Sequence, residues 1–160
     1  VRPIGIDAQN DIQPGDQGCT ADGTTCLRVI SGIGTPILWW MAFAALIAGI
    51  WWWLGRRDWR FAVPVLGVLS VWLPWFQYAD RPLFFFYAIV LLPFYVTGLA
   101  MALGKILGPA HHPRRRIRAV LAGAAVALVI LHFAFIYPIL SDELLTRPEW
   151  LARMWFGTWI

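Results

Sequence analysis

The sequence contains four long apolar stretches, each with the length that a helix needs to cross a membrane. They run from about Pro36 to Leu54, from Phe61 to Tyr78, from Pro82 or Leu83 to Leu107, and from Ile117 to Leu140. A hydrocarbon core of about 30 Å requires about 20 helical residues. Of the 160 residues only 14% are charged, whereas soluble domains carry about 25%. The sequence therefore predicts an all-α integral membrane protein with four transmembrane helices.

Basic side chains are concentrated in two of the loops between these stretches. The loops after the first and third stretches contain Arg56, Arg57, Arg60, Lys105, Arg114, Arg115, Arg116 and Arg118. Eight basic residues beside one acid, Asp58, give these loops a formal charge of +7. The other segments carry five basic and eight acidic residues, hence −3. Because cytoplasmic loops are enriched in Lys and Arg, we predict a multi-pass plasma-membrane protein with both termini exterior and no nucleic-acid partner.

Three regions follow from this topology. Residues 1–35 form an exterior loop, residues 36–140 a transmembrane region and residues 141–160 an exterior tail. The loop holds both cysteines, Cys19 and Cys26, with no histidine or third cysteine nearby. A zinc site is therefore disfavoured, and an oxidising exterior favours a disulfide over two free thiols.

The tail and the small residues of the spans predict local packing. Leu151, Trp155 and Trp159 are four residues apart, which is typical of an amphipathic helix lying in the membrane interface. Asp142-Glu143 precedes them and is expected to cap or solvate the start of the tail. Small residues also recur four apart in two spans, where they favour close helix packing: Gly98 and Ala102 in the third, and Ala119, Gly123 and Ala127 in the fourth.

Few residues have the character of catalytic or metal-binding groups. The sequence has no glycine-rich phosphate loop, no HExxH and no serine or cysteine nucleophile signature, and no metal or cofactor is expected. His111-His112 is expected to be a solvated pair in a basic loop. His132 is the one ionisable group of the fourth span, and such residues are functional candidates. A neutral imidazole hydrogen-bonded to a neighbouring helix is the simpler expectation.

The most unusual feature is an arginine surrounded by aromatic residues between the second and third spans. Arg81 is flanked by Trp75, Tyr78, Phe84 and Tyr87. One interpretation is an aromatic belt with an arginine that reaches the interface. The other is a substrate site, in which the guanidinium binds the phosphate of a lipid-linked molecule.

Several short pieces, in order along the chain, point to a family. They are Arg2-Pro3-Ile4, the loop with Cys19 and Cys26, Gly34-Thr35-Pro36 with Trp39-Trp40, Leu73-Pro74-Trp75 to Arg81, Phe84 to Tyr87 with Pro93-Phe94, Ile136-Tyr137-Pro138, and Met154-Trp155-Phe156 with Trp159-Ile160. Together they resemble the C-terminal four-helix membrane region of the bacterial, actinobacterial-type protein O-mannosyltransferases.

The resemblance implies a GT-C type glycosyltransferase that works without a metal. Such enzymes transfer mannose from a polyprenyl-phosphate-mannose donor to Ser or Thr hydroxyls of exported proteins, on the exterior face. The family's catalytic acid lies in an exterior loop of an N-terminal half, and this chain contains no counterpart. The resemblance therefore implies a fragment that needs the remaining N-terminal half as a partner, contributes donor binding and scaffolding, and is inactive alone.

Two other functions compete with this one. The chain fits a non-catalytic membrane module that anchors or stabilises a partner, because no residue pattern performs chemistry alone. A small transporter subunit is disfavoured by the scarcity of charges within the spans, since ion pathways usually need them.

Overall fold

The computed structural model describes Ile12, Pro14 and Cys19 together with residues 25–78 and 85–156, and the side chains of residues 78 and 85–87 lie outside the description. Four helical segments are long and apolar enough to cross a membrane: Pro36–Arg56, Trp59–Gln77, Ala88–Leu107 and Arg115–Leu140. The prediction of an all-α membrane protein with four transmembrane helices is confirmed.

The regular elements follow in chain order. They are β1 (Cys26–Leu27), α1 (Pro36–Arg56), a 3₁₀ helix (Trp59–Phe61), α2 (Ala62–Trp72), two 3₁₀ helices (Leu73–Tyr78 and Phe85–Val90), α3 (Leu92–Leu107), α4 (Arg115–Leu140), β2 (Leu145–Thr146) and α5 (Arg147–Arg153). The described residues form two compact units. One lies within residues 36–129, and the other combines residues of 1–35 and 130–160.

The core of the unit within 36–129 lies between α1, α2 and α3. Its buried members are Leu46 from α1, Val65 and Val68 from α2, and Leu91 just before α3. Gly98 of α3 is also buried, and a Cβ placed there would lie 3.0 Å from the Leu46 Cδ2 atom and 3.5 Å from the Pro64 Cβ atom. The absence of a side chain at Gly98 therefore allows three helix backbones to approach closely, as small residues do in membrane bundles.

The second group of small residues, in α4, lacks a close neighbour of this kind among the described residues. Gly123 of α4 has no described atom within 4 Å of the position that its Cβ would take. The predicted bundle contact through Ala119, Gly123 and Ala127 is therefore not found within the described part of this chain.

Proline positions explain where the second and third spans change geometry. Pro93 lies in the first turn of α3, where the missing N–H costs no intrahelical hydrogen bond. Pro93 therefore starts a helix and does not interrupt one. Pro74 lies in the 3₁₀ helix that follows α2, so the second span continues past Trp72 in a tighter helix.

The other unit joins the N-terminal loop to the C-terminal tail. Strands β1 and β2 pair antiparallel, with Cys26 opposite Thr146 and Leu27 opposite Leu145. Ile12 bridges to Cys26 on the other side. Beneath these strands, residues from α4, β2 and the tail form a buried cluster: Ile136, Ile139, Leu145 and Met154.

Cys19 and Cys26 form a disulfide in this unit, with Cα atoms 5.9 Å apart. The sulfurs are buried with Ile12, and Leu144 packs against them. The crosslink closes a short loop, and such a crosslink stabilises chiefly by restricting the unfolded chain. The disulfide thereby fixes the segment that pairs with the tail.

Candidate functional site

The substrate site predicted from the sequence falls between the end of the second span, at Gln77, and the start of the third, at Ala88. A 3₁₀ helix over Leu73–Tyr78 precedes the intervening segment and another over Phe85–Val90 follows it. Arg81 and Phe84, together with the side chains of Tyr78 and Tyr87, lie outside the described residues. The assignment of these residues as a substrate site therefore stays a prediction.

Three of the described side chains just before this segment are aromatic, namely Trp72, Trp75 and Phe76. Trp75 is half-buried and makes contacts of its own. Trp72 and Phe76 pack edge to face, with ring centroids 5.2 Å apart. Both rings are at least half exposed, as expected for aromatic side chains at the level of lipid headgroups.

His132 lies in the half of α4 that belongs to the terminal unit. Its side chain is 5% exposed, and its ring centroid lies 4.8 Å from that of Trp155. Neither ring nitrogen has a hydrogen-bond partner among the described residues. The expected hydrogen bond to a neighbouring helix is thus wrong for the described chain, and the imidazole packs against an aromatic ring instead.

The tail begins with a capping box rather than with the acidic pair Asp142-Glu143. The Thr146 side chain accepts from the Glu149 backbone N–H, and the Glu149 carboxylate accepts from the Thr146 backbone N–H at 2.9 Å. Donation to the Glu149 carboxylate from the Thr146 backbone N–H and from the Thr146 hydroxyl lowers the pKa of the Glu149 carboxyl. Two unpaired donors of the helix start are satisfied in this way.

The acidic pair itself takes another role. Asp142 adopts a left-handed backbone conformation, with φ +59°. The Glu143 carboxylate accepts from the Ser141 hydroxyl at 3.3 Å. Both residues are exposed, so their carboxylates are solvated at the turn between α4 and β2.

The tail helix is shorter than the spacing of Leu151, Trp155 and Trp159 predicts. It ends at Arg153, and Met154 leaves the helical region with φ −89° and ψ 84°. Met154 is 7% exposed and belongs to the buried cluster of the unit. The end of the helix at Arg153 therefore allows the Met154 side chain to be buried. Trp159 lies outside the described residues.

Arg153 connects the tail helix to α4. Its Nε atom donates to the Phe135 carbonyl at 2.8 Å, and the guanidinium lies 4.8 Å from the centroid of the Phe135 ring. Pro138 stands inside α4 three residues later, and a proline removes one hydrogen bond from the helix ladder and disturbs its neighbours. Arg153 thus supports α4 beside this proline. No sequence pattern indicates this contact, because it joins residues 18 apart in the chain.

Within residues 36–129, an ion pair joins the loop after α1 to the last turn of α3. The Lys105 ammonium donates to the Asp58 carboxylate at 2.5 Å, and this hydrogen bond lowers the pKa of the Asp58 carboxyl. Lys105 also lies 5.9 Å from the centroid of the buried Phe61 ring. Sequence reasoning missed this pair, although Asp58 stands out as the one acid among the basic loops.

The loop between α3 and α4 carries the neighbouring histidines His111 and His112. The Arg114 backbone N–H donates to His112 Nδ1 at 3.1 Å, and His111 is exposed, as predicted for a solvated pair. Across the residues that the structure describes, no group of three His, Cys, Asp or Glu side chains could hold a metal ion.

Comparison with known proteins gives a consistent set of relatives. No family model matches the chain, and no solved structure matches it. The chain is 37% identical over 147 residues to the polyprenol-phosphate-mannose–protein mannosyltransferase of Mycobacterium tuberculosis, covering 89% of this chain and 27% of that protein. The enzyme of the same name from Mycolicibacterium smegmatis is 37% identical over 161 residues, covering 99% and 30%. The one from Corynebacterium glutamicum is 31% identical, with the same coverage.

These relatives are much longer than the chain. It spans less than a third of their length, while most of its own residues are aligned. The resemblance read from the short motifs is therefore confirmed. The chain is homologous, over most of its length, to a segment of the polyprenol-phosphate-mannose–protein mannosyltransferases.

Proposed function

We propose that this chain is the C-terminal membrane part of a polyprenol-phosphate-mannose–protein mannosyltransferase of the GT-C type. The complete enzyme transfers mannose from the lipid carrier to Ser or Thr hydroxyls of exported proteins. The observation that carries the proposal is the 37% identity over 99% of this chain to a relative of that name. Four apolar spans also suit an enzyme whose donor is a membrane lipid.

The reaction requires a group that stabilises the leaving phosphate. As the acceptor hydroxyl oxygen bonds to the anomeric carbon of mannose, the bond from that carbon to the phosphate oxygen breaks. The polyprenyl phosphate leaves with an added negative charge, and the hydroxyl proton passes to a base. A cation at the phosphate stabilises the charge that develops in this step.

Arg81 is our candidate for that cation. A guanidinium gives two parallel hydrogen bonds to phosphate oxygens. The second apolar span ends at Gln77 and the third begins at Ala88, so in sequence Arg81 falls between two spans, where a chain passes through the headgroup region. The phosphate of a membrane-embedded carrier lies at the same depth. Aromatic side chains before the segment, Trp75 among them, suit contact with a prenyl chain or a sugar ring.

The catalytic base belongs, in this proposal, to a part of the enzyme outside this chain. The exposed carboxylates of Asp142 and Glu143 are not assigned that role, because one of them is already hydrogen-bonded to Ser141. Both termini are assigned to the exterior. The charge difference between the loops supports this orientation, as does the Cys19–Cys26 disulfide, since disulfides persist in oxidising compartments.

The test replaces Arg81 in the complete enzyme, with mannose transfer from polyprenyl-phosphate-mannose to an acceptor peptide as the readout. A hydrogen bond to a charged group contributes about 1.5–3 kcal/mol, so Arg81→Ala should raise the KM for the donor roughly tenfold to a hundredfold. Arg81→Lys should recover part of this loss, because lysine keeps the charge but not the planar fork.

Arg28→Ala is the matched control, because Arg28 is an exposed arginine outside the aromatic segment. Its donor KM should equal that of the unaltered enzyme. If Arg81→Ala inserts normally and leaves both KM and turnover unchanged, Arg81 is an interfacial anchor. If the complete protein transfers no mannose under any condition, the membrane-anchor function replaces the enzymatic one.

A further inference from the structure

Both basic loops lie at one end of the unit within residues 36–129. The Asp58 carboxylate follows α1, and its partner Lys105 stands near the end of α3. This contact brings the ends of α1 and α3 together with the loops that follow them. The eight basic residues and the one acid of these loops, a formal charge of +7, are thus gathered at one end of the helices.

The one acid in this cluster is already paired. Lys105 donates to Asp58, and within residues 25–78 and 85–156 no carboxylate forms an ion pair with the remaining arginines of the two loops. Arg56 lies over the Trp51 ring, 5.1 Å from its centroid. The positive charge at this end is therefore balanced by no other side chain that the structure describes.

The arginines before and within the first turn of α4 divide into two pairs. Arg115 is half-buried and donates from its guanidinium to the Gly108 carbonyl at 3.2 Å. The Arg118 Nη1 atom lies 2.6 Å from the position of a Cβ on Gly108, whose φ is +67°. Arg115 therefore ties the loop to the start of α4, and the Arg118 guanidinium lies beside Gly108. Arg114 and Arg116 are exposed, and among the described residues their guanidinium groups form no hydrogen bond or ion pair.

The position of the exposed pair determines which ligand it can meet. The third span ends at Leu107 and the fourth begins at Arg115, so Arg114 and Arg116 stand at the level of the lipid headgroups. Arginine side chains at helix ends extend toward that level. Phosphate oxygens match the guanidinium fork.

We propose that Arg114 and Arg116 bind the headgroups of anionic phospholipids in the leaflet at this end of the helices. Arg115 is a positioning residue, which holds the loop through the Gly108 carbonyl. The site is separate from the donor site proposed around Arg81. The proposed lipid site requires only that the helices cross the membrane, so it does not depend on mannosyl transfer.

The experiment measures lipid binding to the complete protein in detergent. Phosphatidylglycerol or phosphatidylcholine is titrated, and native mass spectrometry counts the bound lipid molecules. Each basic residue near an anionic surface raises affinity about fivefold. The double variant Arg114→Gln/Arg116→Gln should therefore weaken phosphatidylglycerol binding roughly tenfold to thirtyfold and leave phosphatidylcholine binding unchanged.

Two variants serve as controls. Arg114→Lys/Arg116→Lys keeps both charges and should retain affinity within about threefold. Arg28→Gln removes one exposed charge outside the cluster and should have no effect. Equal phosphatidylglycerol binding in the wild type and the Gln variant would overturn the proposal, and so would an equal loss for both lipids. Displacement of phosphatidylglycerol by inorganic phosphate alone would assign the site to free phosphate and overturn the lipid proposal.

Discussion

Replacing Gly98 by leucine tests whether the absence of a side chain at this position is needed for α1, α2 and α3 to pack closely. A Cβ at this position would lie 3.0 Å from Leu46 Cδ2 and 3.5 Å from Pro64 Cβ. The first distance is tighter than ordinary van der Waals contact, and leucine adds three further carbons beyond Cβ. The α1, α2 and α3 backbones must therefore separate, or Leu46 must leave its rotamer.

The matched control is Gly104→Leu on the same helix. Gly104 has no described atom within 4 Å of its Cβ position, so leucine there meets open space. Both changes gain helix propensity of about 0.7 kcal/mol, and the difference between the two variants removes that term. Overpacking of a close-packed site costs about 1–3 kcal/mol. Gly98→Leu should therefore be less stable than Gly104→Leu by about this amount.

The assay is the free energy of unfolding of the complete protein in bicelles, followed by tryptophan fluorescence. Expression and insertion of both variants are checked first by their recovery from membranes. Equal stabilities for Gly98→Leu and Gly104→Leu would refute the reasoning, because the two glycines would then be equivalent despite their different surroundings.

Two further predictions concern pH and oxidation. The hydrogen bond from Lys105 lowers the pKa of the Asp58 carboxyl below its ordinary value of about 4. The ion pair therefore stabilises the fold above that ordinary value, and the stabilisation is lost as pH falls through the lower pKa of the folded state. Asp58→Asn should therefore lower the thermal midpoint at pH 7, and the two midpoints should converge below about pH 4; a difference independent of pH would contradict this. The Cys19–Cys26 crosslink should contribute about 2–3 kcal/mol, and both thiols should resist alkylation until reduced. Labelling of both by a membrane-impermeant maleimide, on intact cells and only after reduction, would also support the exterior assignment, whereas alkylation without reduction would contradict the crosslink.

The spans could be predicted from the sequence because their signal is length and apolarity alone. The expected start at Pro36 matches the start of α1, and the expected end at Leu140 matches the end of α4. The expected start of the third span, residue 82 or 83, lies outside the described residues, and the expected second span, Phe61 to Tyr78, compares with an apolar helical segment of Trp59–Gln77. Apolar residues continue beyond a helix into its flanking turns, so hydropathy locates a span better than its boundary.

Contacts between distant residues could not be predicted in the same way. The pairing of β1 with β2 spans more than a hundred residues and involves two residues per strand, too few for an alternating pattern. The glycines Gly98 and Gly123 carry the same small-residue signal, yet only Gly98 meets a close neighbour. The spacing of small residues shows that another helix can approach closely, but tertiary packing decides which helix packs there. The site around Arg81 stays a prediction because Arg81 lies outside the described residues.

The pairing between β1 and β2 constrains how the chain is threaded through the membrane. Residues joined by backbone hydrogen bonds cannot stand on opposite sides of a hydrocarbon core about 30 Å thick. The chain between Leu27 and Leu145 must therefore cross an even number of times, a parity that is independent of any charge count. If one of the four segments were re-entrant, a second would have to be as well. The pairing also imposes an order on assembly, because β1 has no strand partner until the last span has been inserted.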